Sequence, residues 1–214
     1  LYSSAASDVY KRQLLEDSAL IIPLGRWIIN TAAKACNRWI TSIPDFVMHI
    51  NLSFVQIVKS NIVKDVLENI ERYSAANNHY VFEITETIEM DQIPAVQNVF
   101  KEFVKNEFRF AIDDFGTGYS NYGYMRDRTF DIVKVDRSFV TDIDKLKDNY
   151  LMVSFIIKMA HEMGLHVCIE GVETKEELSC VKKLGADYIQ GYYYGKPVCL
   201  QDFEEQHLKR FVLG

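Results

Sequence analysis

The chain has 214 residues, is 48% hydrophobic and 25% charged, and so has the size and balance of one globular domain. Its net charge of -6 excludes a binder of DNA or RNA duplexes, and a phosphate-ester substrate would need cations to offset the acidic chain. No apolar run is long enough to cross a bilayer, and Cys36, Cys168, Cys180 and Cys199 form no CxxC pair, which reads as reduced thiols in a cytosolic protein.

Residues 1–13 (LYSSAASDVYKRQ) show no periodicity and look like translated sequencing adapter, so they are set apart as a non-native or disordered leader, leaving 14–214 as the domain. Residues 17–41 predict a helix, with Leu20, Leu24, Trp27, Ile28 and Thr31 spaced to share one face. Pro44-Asp45 breaks the chain before a strand from Phe46 to Leu52. A helix from Ile57 to Ala76 follows, with Val58, Ile62, Val66 and Ile70 at spacing four. Tyr80 to Thr85 is a strand. Pro94 opens a helix to about Asn106. The strand Phe108 to Asp113, a short helical segment and the strand Asp131 to Val135 come next. A helix from Asp148 ends at Gly164, suited to a left-handed C-cap. His166 to Glu170 is a strand. Thr174 and Glu177 form a capping box for a helix that stops at Gly185. Asp187 to Gln190 is a last short strand, and Leu200 to Val212 a last helix. His161-Glu162 and His166 imitate a zinc-protease helix, but the five-residue spacing puts the rings on different faces.

Short apolar strands alternating with helices indicate a parallel sheet buried on both faces. Polar residues recur at the strand ends: Asn51, Glu83, Asp113, Lys134, Glu170 and Gln190. A barrel of parallel strands ringed by helices would gather them at one mouth, whereas an open sheet would use a single switch point. The expected fold is therefore an α/β barrel, incomplete because six strands of the usual eight are visible. Side-chain alternation puts Lys134 with Ile132, Glu83 opposite Phe82 and Ile84, and Glu170 with Cys168. A lysine pointing inward requires an acidic or phosphate partner.

The sharpest signal is Asp113-Asp114-Phe115-Gly116-Thr117-Gly118-Tyr119-Ser120. Adjacent carboxylates close an apolar run and meet a glycine-containing loop. With Glu83, Glu170 and Glu173 they make an all-oxygen set that suits magnesium or manganese rather than zinc. Two such ions would clamp a phosphodiester and activate a water. Successive strand residues point oppositely, so Asp113 and Asp114 reach one site only if the strand ends there. Plainer readings stand beside this one: a helix cap or turn for Asp-Asp, a turn cap for Asn51, a structural Glu83–Lys134 pair, a helix-start position for Glu173, and backbone satisfaction for Gln190.

The motifs together resemble the EAL domain, the bacterial phosphodiesterase of cyclic di-GMP, from about Leu15 to the C-terminus. Asn51-Leu52-Ser53, Glu83-Ile84-Thr85-Glu86, Asp113 to Ser120, Asp131 to Val140 (DIVKVDRSFV), Glu170-Gly171-Val172-Glu173-Thr174, and Gln190-Gly191-Tyr192 with Lys196-Pro197 carry the resemblance. It implies a TIM-like barrel whose first strand is antiparallel, and two Mg2+ or Mn2+ ions. Asn51, Glu83 and Asp113 would hold the first ion. Asp113 would bridge to the second, held also by Asp114. Glu170 would be the general base, and Lys134 would orient the water and steady the phosphate. Glu173, Gln190 and Asp136 would support metals and ligand. Glu86 would anchor the loop Asp114 to Ser120 and link it to homodimerisation. The product would be linear pGpG.

One departure stands out. The Glu-Ala-Leu motif that names the family is absent, along with the first two strands, which implies a truncated fragment, itself inactive, of a larger cytoplasmic or membrane-tethered protein. Upstream sensory or diguanylate cyclase domains fit that reading. Asn121 and Gly195 are smaller departures that touch no expected ligand. The alternatives are a degenerate module that senses cyclic di-GMP, for which a replaced Glu in the missing strand would speak, and an unrelated metal-dependent barrel enzyme such as an aldolase, against which the intact Asp113–Ser120 loop speaks.

Overall fold

The computed structural model describes residues 12–73, 76–85, 94–117 and 129–208. Two compact units divide them, one within Leu1–Phe82 and Glu89–Phe108, the other within Glu83–Ile88 and Arg109–Gly214. The expected leader up to residue 11, Glu86, Gly118, Tyr119, Ser120, most of the short helical segment after them and the end of the last helix lie outside the described residues.

The first unit opens with a helical turn at 12–17 and then α1, Ile21–Trp39. Ala19, at φ 57, separates the two, so the single helix expected from residue 17 is broken by a left-handed residue. The stripe Leu20, Trp27 and Ile28 faces outward, Trp27 at 64% exposure. The buried face is instead Ile21, Gly25, Ile29, Ala33 and Cys36. Small residues there let neighbours come close: a side chain on Gly25 would strike Gln56. β1 is Met48–Asn51, shorter than the expected strand. The helix expected over 57–76 is two helices, α2 (Phe54–Lys59) and α3 (Ile62–Glu71). Ser53 and Gln56 form a capping box that starts α2 early. Ser60 ends it in extended backbone, its hydroxyl donating back to the Gln56 carbonyl at 2.7 Å, a competing bond that such residues offer against helix. Ile62, Val66 and Ile70 are buried on α3 as their spacing demands. Asn30–Asn69 and Arg26–Asp65 contacts, both 2.7 Å, tie α1 to α3. β2 (Tyr80–Thr85) starts in this unit, where Phe82 packs edge-on against Phe103 of α4 (Pro94–Lys105) and against Phe108, with ring centroids 5.0 and 5.5 Å apart.

The second unit takes over β2 at Glu83. It continues with β3 (Arg109–Phe115), β4 (Ile132–Val135), α5 (Lys147–Glu162), β5 (His166–Ile169), α6 (Lys175–Leu184), β6 (Tyr188–Ile189) and α7 (Leu200–Phe203). In each unit the strands neighbour one another in chain order, and β3 to β6 pair in parallel throughout. A doubly wound sheet would reverse that order at its switch point; uninterrupted order belongs to the α/β barrel class. The Thr174–Glu177 capping box and the left-handed Gly185, at φ 88, close α6 as its sequence requires. The last helix is shorter than expected, giving way to a wider turn at Glu204–Leu208. Among the described residues no helix is long and apolar enough to cross a membrane.

Candidate active site

The second unit builds its site from strand ends. β3 runs beyond Asp113 to Phe115, so the strand does not end between the two aspartates as expected. A bulge brings them together instead. Ile112 pairs with Val133 and Phe115 with Val135, three steps on β3 against two on β4. Asp114 absorbs the extra residue at φ 54, a left-handed conformation that Asp tolerates better than most side chains. The usual alternation is thereby broken. Carboxylate oxygens of Asp113, Asp114 and Glu170 lie within 4.8 Å of one another, the only such acidic, histidine or cysteine group among the described residues.

Lys134 stands in the middle. Its Nζ lies 2.9 Å from Glu83, 2.7 Å from Asp113 and 2.8 Å from Glu170. These carboxylates come from β2, β3 and the end of β5. The ammonium, Glu83 and Asp113 are all buried. Burial alone would drive the lysine toward neutrality, but Glu83, Asp113 and Glu170 outweigh it and hold its pKa above the ordinary value. Glu170 shifts upward, chiefly through burial and further through Asp113 and Glu83, although Lys134 pulls the other way. Cys168 sits beside Lys134 in the β4–β5 register, and burial together with the charge of Glu170 pushes its thiol up to about 12.

The other expected site residues have different surroundings. Asn51 ends β1 in the first unit. Glu173 does not join the acidic group; its carboxylate pairs with Arg137 at 2.9 Å. Asp136 accepts a 2.9 Å bond from the Ser138 amide and caps the short turn Arg137–Phe139. Gln190 has an exposed side chain, while its backbone bonds Ile169 and Val172. Phe115 is buried, Gly116 takes φ 96, and the Thr117 hydroxyl donates to the Asp114 carbonyl at 2.8 Å. Arg137 and Phe139 were not singled out from the sequence. Their one signal is that they follow Lys134 within the same motif.

Three carboxylates, Glu83, Asp113 and Glu170, thus share a single ammonium, and Asp114 lies close to two of them, Asp113 and Glu170. So acidic a set, buried at Glu83 and Asp113 and half-buried at Asp114 and Glu170, with no histidine in it, fits hard divalent cations bound through oxygen. In this unit the parallel strands of an α/β fold carry that cluster toward their C-terminal ends. The profile of the EAL domain family matches residues 11–197, and the chain belongs to that family. The probable cyclic di-GMP phosphodiesterase PdeG of Escherichia coli is 30% identical over 88% of this chain and 38% of its own length. The bifunctional diguanylate cyclase/cyclic di-GMP phosphodiesterase MucR of Pseudomonas aeruginosa is 28% identical over 86% of this chain and 27% of its own. The solved EAL enzyme Bd1971, with cAMP and cyclic di-GMP bound, superposes with a TM-score of 0.87 at 33% identity, covering 94% of this chain and 55% of that one. The fold is therefore the TIM-like α/β type of the EAL domains. The chain spans only about a quarter to two fifths of the two curated relatives' lengths.

Proposed function

We propose that this chain is the hydrolytic part of a bacterial, cytoplasmic-facing cyclic di-GMP phosphodiesterase that opens the ring to linear pGpG. The observation that carries the reading is the buried Lys134 ammonium held between carboxylates from three strands, with Asp114 brought alongside by the β3 bulge. Glu83, Asp113 and Asp114 would hold two Mg2+ or Mn2+ ions. Bound there, the ions would neutralise phosphate charge and acidify a water.

The chain's own residues do the rest. Glu170, its pKa raised by burial, is set to take the proton as the water oxygen bonds to phosphorus and the bond to the leaving 3′ oxygen breaks, that oxygen taking a proton from solvent to become the free hydroxyl. Lys134 keeps its charge and steadies the non-bridging phosphate oxygens. Glu173 and Gln190 bound the outer part of the site, and a homodimer is the working assembly. The named activities of PdeG and MucR support this assignment, as does cyclic di-GMP bound to Bd1971.

The test is chromatographic product analysis of the full-length protein incubated with cyclic di-GMP and Mn2+. Linear pGpG should form with wild type and fall at least about a hundredfold with Glu170→Gln. Cyclic di-GMP retained intact by a metal-loaded, folded wild type would overturn the assignment and leave a binding module.

A further inference from the structure

The one-turn helix Arg137–Phe139 directly follows the strand that carries Lys134. Each of its two ends presses on a glycine beside a site carboxylate. Phe139 lies against Gly116, two residues after Asp114; a Cβ there would come 2.7 Å from the ring's Cε2 and 2.9 Å from its Cζ. Arg137 lies against Gly171, the residue after Glu170; a Cβ there would strike the Cβ and Cγ of the arginine. Both glycines are left-handed, at φ 96 and φ 72, so each is fixed by conformation as well as by space.

The turn itself is anchored. Asp136 caps it through the Ser138 amide at 2.9 Å. Asn149 of α5 donates to the carbonyls of Ser138 and Thr141 at 3.5 and 3.1 Å. The Arg137 head grips Glu173 at 2.9 Å, closing over the segment 170–173. On its other side that segment is held by the Val172 amide on the Gln190 carbonyl at 3.2 Å and the Tyr193 amide on the Val172 carbonyl at 3.0 Å.

We infer that Arg137 and Phe139 are positioning residues: the turn braces the Asp114–Gly116 bulge and the Glu170–Glu173 segment at a fixed separation on either side of Lys134. This deepens the proposed function, on which its catalytic consequence rests. Phe139 sets where the paired aspartates stand. Arg137 sets where the Glu170 carboxylate stands. Neither touches the reacting atoms.

The brace is tested by hydrogen exchange and kinetics on the full-length protein carrying Phe139→Ala or Arg137→Ala. Phe139→Ala should speed amide exchange across 114–117 by about tenfold and leave 170–173 within about twofold of wild type. Arg137→Ala should do the reverse. Each should lower kcat for cyclic di-GMP by about tenfold or more with KM little changed, because a small misplacement of reacting groups is costly. Phe139→Leu and Arg137→Lys, which keep the apolar seat and the methylene stem, should restore most of both readouts. Exchange unchanged in both segments, or raised alike across the whole unit, overturns the brace. A wild type that does not hydrolyse cyclic di-GMP would sink the proposed function alone, since the segment-by-segment exchange pattern decides the brace without turnover.

Discussion

Replacing Lys134 by methionine removes the ammonium that three carboxylates share at 2.7 to 2.9 Å. Methionine keeps most of the volume, so the loss is electrostatic. Breaking one buried pair by removing a partner costs about 3–5 kcal/mol, because the remaining charge has no compensation. Here Glu83, Asp113 and Glu170 are left together. One of them will take up a proton, which trims the cost by about 1.4 kcal/mol for each unit by which its pKa comes to exceed the pH. The net loss at neutral pH should therefore be about 3 kcal/mol, shrinking as the pH falls. A divalent cation that binds the stripped site should restore stability, by about 2.7 kcal/mol at a hundredfold excess over its Kd. Urea unfolding in EDTA and in Mn2+, wild type against variant, measures both quantities. Lys134→Met within about 1 kcal/mol of wild type in EDTA would mean the pairs are no stronger than surface ones, and the account of the cluster would be wrong. The lysine's raised pKa places its contribution below the unfolded value of 10.5, so no loss of it should appear on going from pH 6 to 9.

Asp114→Asn keeps a residue that accepts left-handed backbone and should leave the melting temperature near wild type while weakening Mn2+ binding in calorimetry; Asp114→Val should cost about 1–3 kcal/mol from backbone strain. Glu177 is buried and bonded to the amides of Asp142, Glu173 and Thr174. Burial pushes its pKa up, but those amides outweigh it and hold it below 4.5. Its contribution is present above that pH and lost as the pH falls through the folded value, so Glu177→Gln should destabilise at pH 7 and flatten the acid limb of a stability–pH curve. Alkylation at pH 8 followed by mass spectrometry should label the exposed Cys199 and spare Cys168, whose thiol is pushed up to about 12.

Much of this arrangement is legible in the sequence, for identifiable reasons. Period-two alternation correctly assigns Glu83, Lys134 and Glu170 to one face because their strands are regular. Thr174, Glu177 and Gly185 announce α6 through local chemistry alone. The bulge is not legible: nothing in Asp113-Asp114-Phe115 says that Asp114 turns left-handed while the strand continues. The outward face of α1 misleads because Trp27 is large and apolar, whereas the buried face works through the smallness of Gly25, Ala33 and Cys36. Ser60 interrupts a run of spacing-four apolar residues by a side-chain bond that periodicity ignores. Arg137 and Phe139 act by contact with glycines distant in sequence, which no local pattern records.

Calorimetric titration of Mn2+ into metal-free protein, wild type beside Asp113→Asn, tests the central claim most directly. Saturable binding by wild type, lost or weakened at least about tenfold when the Asp113 carboxylate becomes an amide, is the outcome the acidic cluster requires. Equal binding by both proteins, or none by a folded wild type, would contradict it.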